Sequence, residues 1–348
     1  MFLIFFIENL NSFSIKKNSF QNFENNTRSI RVYIVKIENK GYNFYPCMNL
    51  STCMRVGIVG LGLMGSRLAG RLIDTGHNIG VYNRDSAKTK RFARMGVRVA
   101  TYPAELADNS DFIIICVTNF DAVKEISFGK RGIIESNNNH LIVADSSTVS
   151  ALESRYCADL FRKKKIEMLG MPVMGGTTSA ERGELIPIVS GNKTAFLRSK
   201  SVIKKISKAI FYIGENDGLA NTVKLALNLN IALIATALSE GIALVEGSGI
   251  DPKIFIKILN HTYFRTGISE KKGSKMIENN FVPTFHLKNM LKDLDLAVST
   301  AQYSGISIPL TSLTQQIYRA ANNSGFSEQD YTAILAFIEK INGMRKQR

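Results

Sequence analysis

Two side chains near the middle of the chain could move a proton. Lys224 and Asn228 lie four residues apart in a segment with helical spacing, so they share one helix face. Apart from Glu240 and Glu246, the segment 219–246 carries no other charge. A lysine partly withdrawn from water has a pKa nearer neutral pH and can protonate a carbonyl oxygen as hydride arrives. The alternative is that Lys224 extends to solvent and Asn228 is an ordinary surface amide.

A second group of residues could bind a carboxylate. Gly175 and Gly176 follow the apolar residues 172–174, and the free N–H groups of such a loop can hold an anion. The two glycines could equally form a simple turn. On a later helix, Lys292 and Asp293 could be an ion pair on the surface, which is the usual place for neighbouring opposite charges.

The stretch 54–84 predicts the element that organises the first half of the chain. An apolar run at 56–59 leads into a GxGxxG pattern, a helical pattern and a second apolar run at 79–82, which is typical of a dinucleotide-binding βαβ unit. Gly60 would permit the tight turn, Gly62 would let a pyrophosphate approach, and Gly65 would let helix and strand pack closely. The helix N-terminus would offer its N–H groups to the phosphates. The predicted cofactor-binding turn consists of Gly60, Leu61, Gly62, Leu63, Met64 and Gly65.

The residues after the second apolar run indicate which dinucleotide is preferred. NAD enzymes of this kind usually place Asp or Glu there to accept hydrogen bonds from the ribose 2′-hydroxyl. Here the position is occupied by Asn83 and Arg84, and a guanidinium suits a 2′-phosphate. Asp85 follows, and its charge could partly offset that of Arg84. We therefore expect NADP(H) to be favoured, with NAD(H) as the alternative.

The order of apolar runs predicts two folded domains. Runs and helical patterns alternate between 54 and 216, as in a doubly wound α/β domain with a mainly parallel sheet, a Rossmann domain. The buried run 111–117 ends at Val117, and Thr118 follows it. Both residues are expected at the sheet edge where nucleotides bind. Only helical patterns occur from 217 to 345, which predicts an all-α domain. Its first helix, the long interdomain helix, is apolar on several sides and is therefore expected to be buried.

Residues 1–53 lack the pattern of a folded core. We predict a poorly ordered extension, in which the segment 30–37 could form a strand without an obvious partner. The whole chain has 348 residues, of which 45% are hydrophobic and 21% charged, and this suits about two domains.

Charge and cysteine usage limit the possible partners. The formal charge of +15 could indicate nucleic-acid binding, but the basic residues are spread along the chain. We therefore expect no nucleic-acid partner. We also expect no membrane partner, because no apolar run approaches the length of a membrane span. The four cysteines show no CxxC spacing, which predicts no metal site and a cytoplasmic location.

Five motifs occur in order along the chain: GLGLMG at 60–65, DSSTV at 145–149, PVMGG at 172–176, GLANTVKLALN at 218–228 and KDLDLA at 292–297. Taken together, they resemble those of the β-hydroxyacid dehydrogenase family, which includes 3-hydroxyisobutyrate dehydrogenases and glyoxylate/succinic semialdehyde reductases. The resemblance extends over about 54–341. It implies an NAD(P)-dependent dehydrogenase or reductase that interconverts a small β-hydroxyacid and its semialdehyde or oxo acid. It also implies a homodimer or homotetramer.

The resemblance gives a role to each matching residue. Lys224 would be the catalytic lysine and Asn228 the residue that orients it. Thr148 and Lys292 would contact the cofactor. The substrate, a small molecule with a carboxylate, would be contacted by Ser147, Met174, Gly175 and Gly176.

One departure from the family pattern leaves the substrate open. Family members usually have Ser where Met174 stands, and that hydroxyl helps to hold the substrate carboxylate. Two other functions remain as alternatives. One is an imine-reductase-like relative, although such proteins generally lack the lysine found here at 224. The other is a non-enzymatic dinucleotide-binding module whose basic surface contacts nucleic acid.

Overall fold

A computed structural model describes residues 32–36, 42–46 and 54–344 of the chain. The chain divides into two units, Met1–Cys53 and Met54–Arg348. In the first unit, strand β1 (Val32–Lys36) pairs antiparallel with strand β2 (Tyr42–Pro46). The strand expected within 30–37 is therefore present, and its partner is one that the sequence analysis did not identify. The prediction for the rest of residues 1–53 lies outside the described residues.

The second unit begins with an α/β domain. Its strands are β3 (Val56–Val59), β4 (Ile79–Tyr82), β5 (Arg98–Val99), β6 (Phe112–Ile115), β7 (Ile142–Asp145), β8 (Glu167–Gly170), β9 (Val173–Met174), β10 (Ile186–Gly191) and β11 (Phe211–Gly214). Its helices are α1 (Leu63–Asp74), α2 (Lys90–Arg94), α3 (Pro103–Asp108), α4 (Phe120–Phe128), α5 (Ala151–Lys163), α6 (Thr177–Arg182) and α7 (Lys193–Lys205). The sequence analysis missed α4 and α7, although each begins at an asparagine that caps it, Asn119 and Asn192.

These strands form one mainly parallel sheet, as predicted. The strand order is β11–β10–β8–β7–β6–β3–β4–β5, and β9 pairs with β10. Strands β3 to β8 pair in parallel, whereas β10 runs antiparallel to β8 and β9. Because β3 lies between β4 and β6, the turn after β3 is flanked by the carboxyl ends of both neighbours. This edge is where open α/β sheets bind their ligands.

The remaining helices form an all-α domain, again as predicted. They are α8 (Leu219–Gly247), α9 (Pro252–His261), α10 (Gly267–Ile277), α11 (Leu287–Tyr303), α12 (Pro309–Ala321) and α13 (Ile334–Ile341). The sequence analysis missed α10, which begins with a capping box between Thr266 and Ser269. The inner side of α8 packs with α11 and α13 in a separate apolar core.

The expectation that α8 is buried is wrong for part of its surface. Ala232 and Ala235 are fully buried, but Val223 and Leu227 are exposed and Leu244 is 71% exposed. Within one chain, the neighbouring helices cover only one side of this 29-residue helix. By length and composition α8 could also cross a membrane, a property that it shares with the core helices of soluble proteins.

Candidate active site

The glycine turn between β3 and α1 has the geometry of a phosphate-binding site. Gly60 has a φ of +93°, and a β-carbon on Gly65 would collide with the Gly60 carbonyl oxygen. A β-carbon on Gly62 would meet no atom within 4 Å, so this side of the turn is open. Helix α1 has neither a side-chain cap nor an acidic residue in its first turn. Its N–H groups therefore fit a pyrophosphate.

Asn83 joins this turn to the segment after β4. The Leu61 N–H donates to Asn83 Oδ1 over 2.8 Å, and Asn83 Nδ2 donates to the Asp85 carbonyl oxygen over 2.9 Å. Of the other predicted turn residues, Leu63 is exposed, whereas Met64 packs partly against the core of the domain. The structure thus brings the predicted residues 60–65 and 83 together.

Arg84 lies at the same edge with its side chain 82% exposed, and it pairs with Glu125 of α4 over 3.3 Å. Sequence analysis did not select Glu125, which is 41 residues away. Asp85, expected to offset Arg84, instead accepts the Ala87 N–H over 3.0 Å. Because this hydrogen bond caps a short helical turn, the carboxylate next to the guanidinium is that of Glu125.

Ser147 connects the carboxyl ends of β6 and β7. Its hydroxyl oxygen accepts the Val117 N–H over 3.1 Å, and its own N–H donates to Asp145 Oδ1 over 2.9 Å. Ser147 and Asp145 are almost fully buried, whereas Thr118 is exposed. Burial raises the pKa of the Asp145 carboxyl to about 6. In this structure the predicted substrate-side hydroxyl of Ser147 holds the neighbouring loop in place.

Lys224 is half-buried, and its amine is hydrogen-bonded within the protein. Its Nζ donates to the Val173 carbonyl oxygen over 2.9 Å and lies 3.2 Å from the sulfur of Met174. Burial lowers the pKa of Lys224 to about 8; the charge of Asp293 opposes this shift and that of Lys292 adds to it. These contacts exclude the alternative in which Lys224 extends to solvent.

A buried carboxylate connects the remaining predicted residues. Asp293 is 1% exposed and accepts hydrogen bonds from Asn228 Nδ2 over 2.5 Å and from Lys292 Nζ over 2.7 Å. Lys292 Nζ also donates to the Thr148 carbonyl oxygen over 2.8 Å. Helices α8 and α11 are thereby joined to the loop after β7. The interpretation of Lys292 and Asp293 as a surface pair is wrong, because the packing of α11 against α8 buries Asp293.

The glycine loop lies beside the lysine, since Met174 directly precedes Gly175. Gly175 has a φ of +123°, and a β-carbon on Gly176 would meet no atom within 4 Å. Both glycines are exposed. The arrangement therefore combines an amine with a pKa of about 8 and an open loop with two backbone N–H groups. No cluster of His, Cys, Asp and Glu that could hold a metal ion occurs within the described part of the chain.

Comparison with known proteins gives matches over both domains. Residues 55–214 match a family model described as the NAD binding domain of 6-phosphogluconate dehydrogenase. Residues 218–338 match one described as the NAD-binding domain of NADP-dependent 3-hydroxyisobutyrate dehydrogenase. The chain is 30% identical over 300 residues to a probable mitochondrial 3-hydroxyisobutyrate dehydrogenase of Dictyostelium discoideum, covering 84% of this chain and 93% of that protein. It is 26% identical over 284 residues to the chloroplastic glyoxylate/succinic semialdehyde reductase 2 of Arabidopsis thaliana, covering 82% and 79%.

Solved structures agree with these matches. The 3-hydroxyisobutyrate dehydrogenase of Salmonella typhimurium superposes with a TM-score of 0.74 at 25% identity, covering 81% of this chain and 99% of that protein. One relative is of another kind. The cytokine-like nuclear factor N-PAC of Anopheles gambiae is 29% identical over 282 residues, covering 81% of this chain but only 50% of that protein.

Proposed function

The chain belongs to the β-hydroxyacid dehydrogenase family of NAD(P)-dependent oxidoreductases, and we propose that it interconverts a small β-hydroxyacid and its semialdehyde or oxo acid with Lys224 as the proton donor. The bound nicotinamide supplies or accepts the hydride. In the direction of reduction, protonated Lys224 donates its proton to the carbonyl oxygen of the substrate. In oxidation, neutral Lys224 accepts the proton of the substrate hydroxyl.

The observation that carries this proposal is the environment of Lys224. A general acid works best when its pKa is close to the working pH. An exposed lysine does not meet this condition, whereas burial brings the pKa of Lys224 to about 8. The hydrogen bond to the Val173 carbonyl oxygen directs the amine toward the glycine loop. Asn228 Nδ2 donates a hydrogen bond to Asp293, so the amide oxygen of Asn228 is the atom that would orient the ammonium group of Lys224.

The substrate carboxylate would be held by the loop of Gly175 and Gly176. Both glycines are exposed, and their N–H groups are the donors on which this role depends. The thioether of Met174 lies beside Lys224 and offers no hydroxyl to a carboxylate. We therefore expect the substrate to present an apolar group near Met174.

For the cofactor, we propose that NADP(H) is favoured over NAD(H). The guanidinium of Arg84 stands at the end of β4, where a ribose 2′-phosphate would lie, and it is exposed. Arginine binds phosphate through paired, charge-assisted hydrogen bonds.

Replacement of Lys224 tests the reaction. Lys224→Ala should lower kcat by about 10²-fold or more, while titration of NADPH fluorescence still shows binding. Lys224→Arg should be nearly as inactive, because a guanidinium stays protonated near neutral pH. Lys163→Ala, which removes an exposed charge at the end of α5, is the control and should be fully active. Equal turnover by the Lys224→Ala and Lys163→Ala enzymes would rule out Lys224 as the proton donor.

The alternative of a nucleic-acid-binding module rests on the formal charge of +15, and one relative, N-PAC, is described as a nuclear factor. A non-enzymatic module would not need a lysine whose pKa is lowered toward neutrality, and the position of Lys224 therefore supports the enzyme. A titration with duplex DNA at rising salt concentrations separates the two functions. Salt-dependent binding without any turnover of semialdehydes or hydroxyacids would favour the module.

A further inference from the structure

Arg84 is paired with a carboxylate from the opposite side of β3. It follows β4 by two residues, whereas Glu125 lies on α4, the helix that follows β6. Strands β4 and β6 are the two neighbours of β3. The ion pair, 3.3 Å between the Arg84 guanidinium and Glu125 Oε2, therefore spans the edge of the sheet where the glycine turn begins.

The pair is exposed and free to exchange partners. The side chains of Arg84 and Glu125 are 82% and 62% exposed. The carboxylate of Asp85 caps the turn at Ala87, and among the described residues the ion pair of Arg84 is formed with Glu125. Tyr82, at the end of β4, is close to both charges. Burial raises the pKa of its hydroxyl, the charge of Glu125 adds to this shift, and that of Arg84 opposes it.

A 2′-phosphate and Glu125 would need the same guanidinium. We propose that Glu125 is a specificity-determining residue that competes with the 2′-phosphate of NADP(H) for Arg84, and that it thereby lowers the preference for NADP(H) over NAD(H). NAD(H) carries a neutral hydroxyl at this position and leaves the pair intact. This inference rests on the cofactor role proposed above for Arg84.

The size of the effect follows from the exposure of the pair. An ion pair at this level of exposure typically changes a binding constant by about twofold to fivefold, and salt screens it. Glu125 therefore moderates the preference for NADP(H) and does not reverse it. An enzyme with Gln at this position should discriminate more strongly between the two cofactors.

Binding of nucleotide fragments tests the inference without any reaction. Adenosine 2′,5′-bisphosphate and 5′-AMP differ only in the 2′-phosphate, and isothermal titration in low-salt buffer gives the affinity of each. Glu125→Gln should bind the bisphosphate about twofold to fivefold more tightly and 5′-AMP with unchanged affinity. The matched control is Asp121→Asn on the same helix, whose carboxylate pairs with Lys124 over 3.0 Å. It should leave the ratio of the two affinities unchanged.

Three results would overturn the inference. The first is an unchanged affinity ratio in Glu125→Gln, and the second is an equal gain in Asp121→Asn. The third is a gain that persists when Glu125→Gln is combined with Arg84→Ala, because competition for Arg84 requires Arg84. The single variant Arg84→Ala tests the cofactor proposal separately. If it binds the bisphosphate as tightly as the unaltered protein, the role proposed for Arg84 fails, whatever Glu125→Gln shows.

Discussion

Among the residues of the candidate site, Asp293 joins helix α11 to helix α8. Its buried carboxylate accepts hydrogen bonds from Asn228 and Lys292, and its negative charge raises the pKa of the nearby Lys224. It is therefore a positioning residue with an electrostatic effect. Without the charge of Asp293, burial would lower the pKa of Lys224 below its value of about 8.

Asp293→Asn should shift the pH dependence of reduction. Reduction needs protonated Lys224, so kcat falls as the pH rises through the pKa of this amine, which is about 8. Removal of the negative charge lowers that pKa, and the falling limb of the kcat profile should move to lower pH. The control is Asp295→Asn on the same helix, which loses an exposed pair with Arg319. If the two variants and the unaltered enzyme have the same falling limb, the charge of Asp293 does not act on the proton donor.

In helix α1 and the turn before it, three of the four glycines should respond differently to alanine. A β-carbon on Gly62 enters open space that the pyrophosphate would occupy, whereas one on Gly65 meets the Gly60 carbonyl oxygen. Gly62→Ala should keep its melting temperature but bind dinucleotide at least about tenfold more weakly, which is about 1.4 kcal/mol. Gly65→Ala should lose about 1–3 kcal/mol of unfolding free energy, because the βαβ unit must shift to make room.

Gly70 provides the control in the same helix. A β-carbon there also meets no atom within 4 Å, and alanine favours helix more than glycine does. Gly70→Ala should therefore be as stable as the unaltered protein or more stable, with unchanged dinucleotide binding. Thermal unfolding and a fluorescence titration of NADPH measure both properties. Equal losses of stability in Gly62→Ala and Gly65→Ala would contradict the assignment of the open side of the turn to the cofactor.

In the molecule as a whole, the all-α domain leaves several apolar side chains exposed. At the end of α8 and on α9 these include Leu244, Ile250, Ile254 and Ile258; around the start of α12 they include Tyr303, Ile306, Leu310 and Leu313. Contiguous exposed apolar surface is typical of sites where protein chains associate. We therefore propose that the enzyme is a homodimer or homotetramer that associates through this domain.

Size-exclusion chromatography with light-scattering detection should give a mass of at least two chains at micromolar protein concentration. Aspartate at both Ile254 and Ile258, or at both Leu310 and Leu313, places charges in an apolar contact, and at least one of these double variants should reduce the mass. Lys163→Asp, at the end of α5 in the α/β domain, makes the same change in net charge outside this surface and should leave the mass unchanged. A monomer in the unaltered protein would contradict the proposal.

Features that depend on local spacing follow from the amino-acid sequence alone. The glycine pattern between two apolar runs predicts a βαβ unit, because turn geometry and strand and helix periodicity act over a few residues. Lys224 and Asn228 share a face because a helix places residues four apart together. Apolar periodicity does not indicate helices α4, α7 and α10, whose local signals are the asparagine or threonine caps at which they begin.

Contacts between site residues that are distant in the chain arise only when the chain folds. Asn228 and Asp293 are 65 residues apart, Lys292 and Thr148 are 144 apart, and Arg84 and Glu125 are 41 apart. Such contacts depend on how α11 packs on α8 and on the order of the strands. The burial that lowers the pKa of Lys224 has the same origin, as does the partial exposure of α8. Sequence spacing predicts neither the burial of Lys224 nor the exposure of α8, because both depend on segments that are distant in the chain and adjacent only after folding.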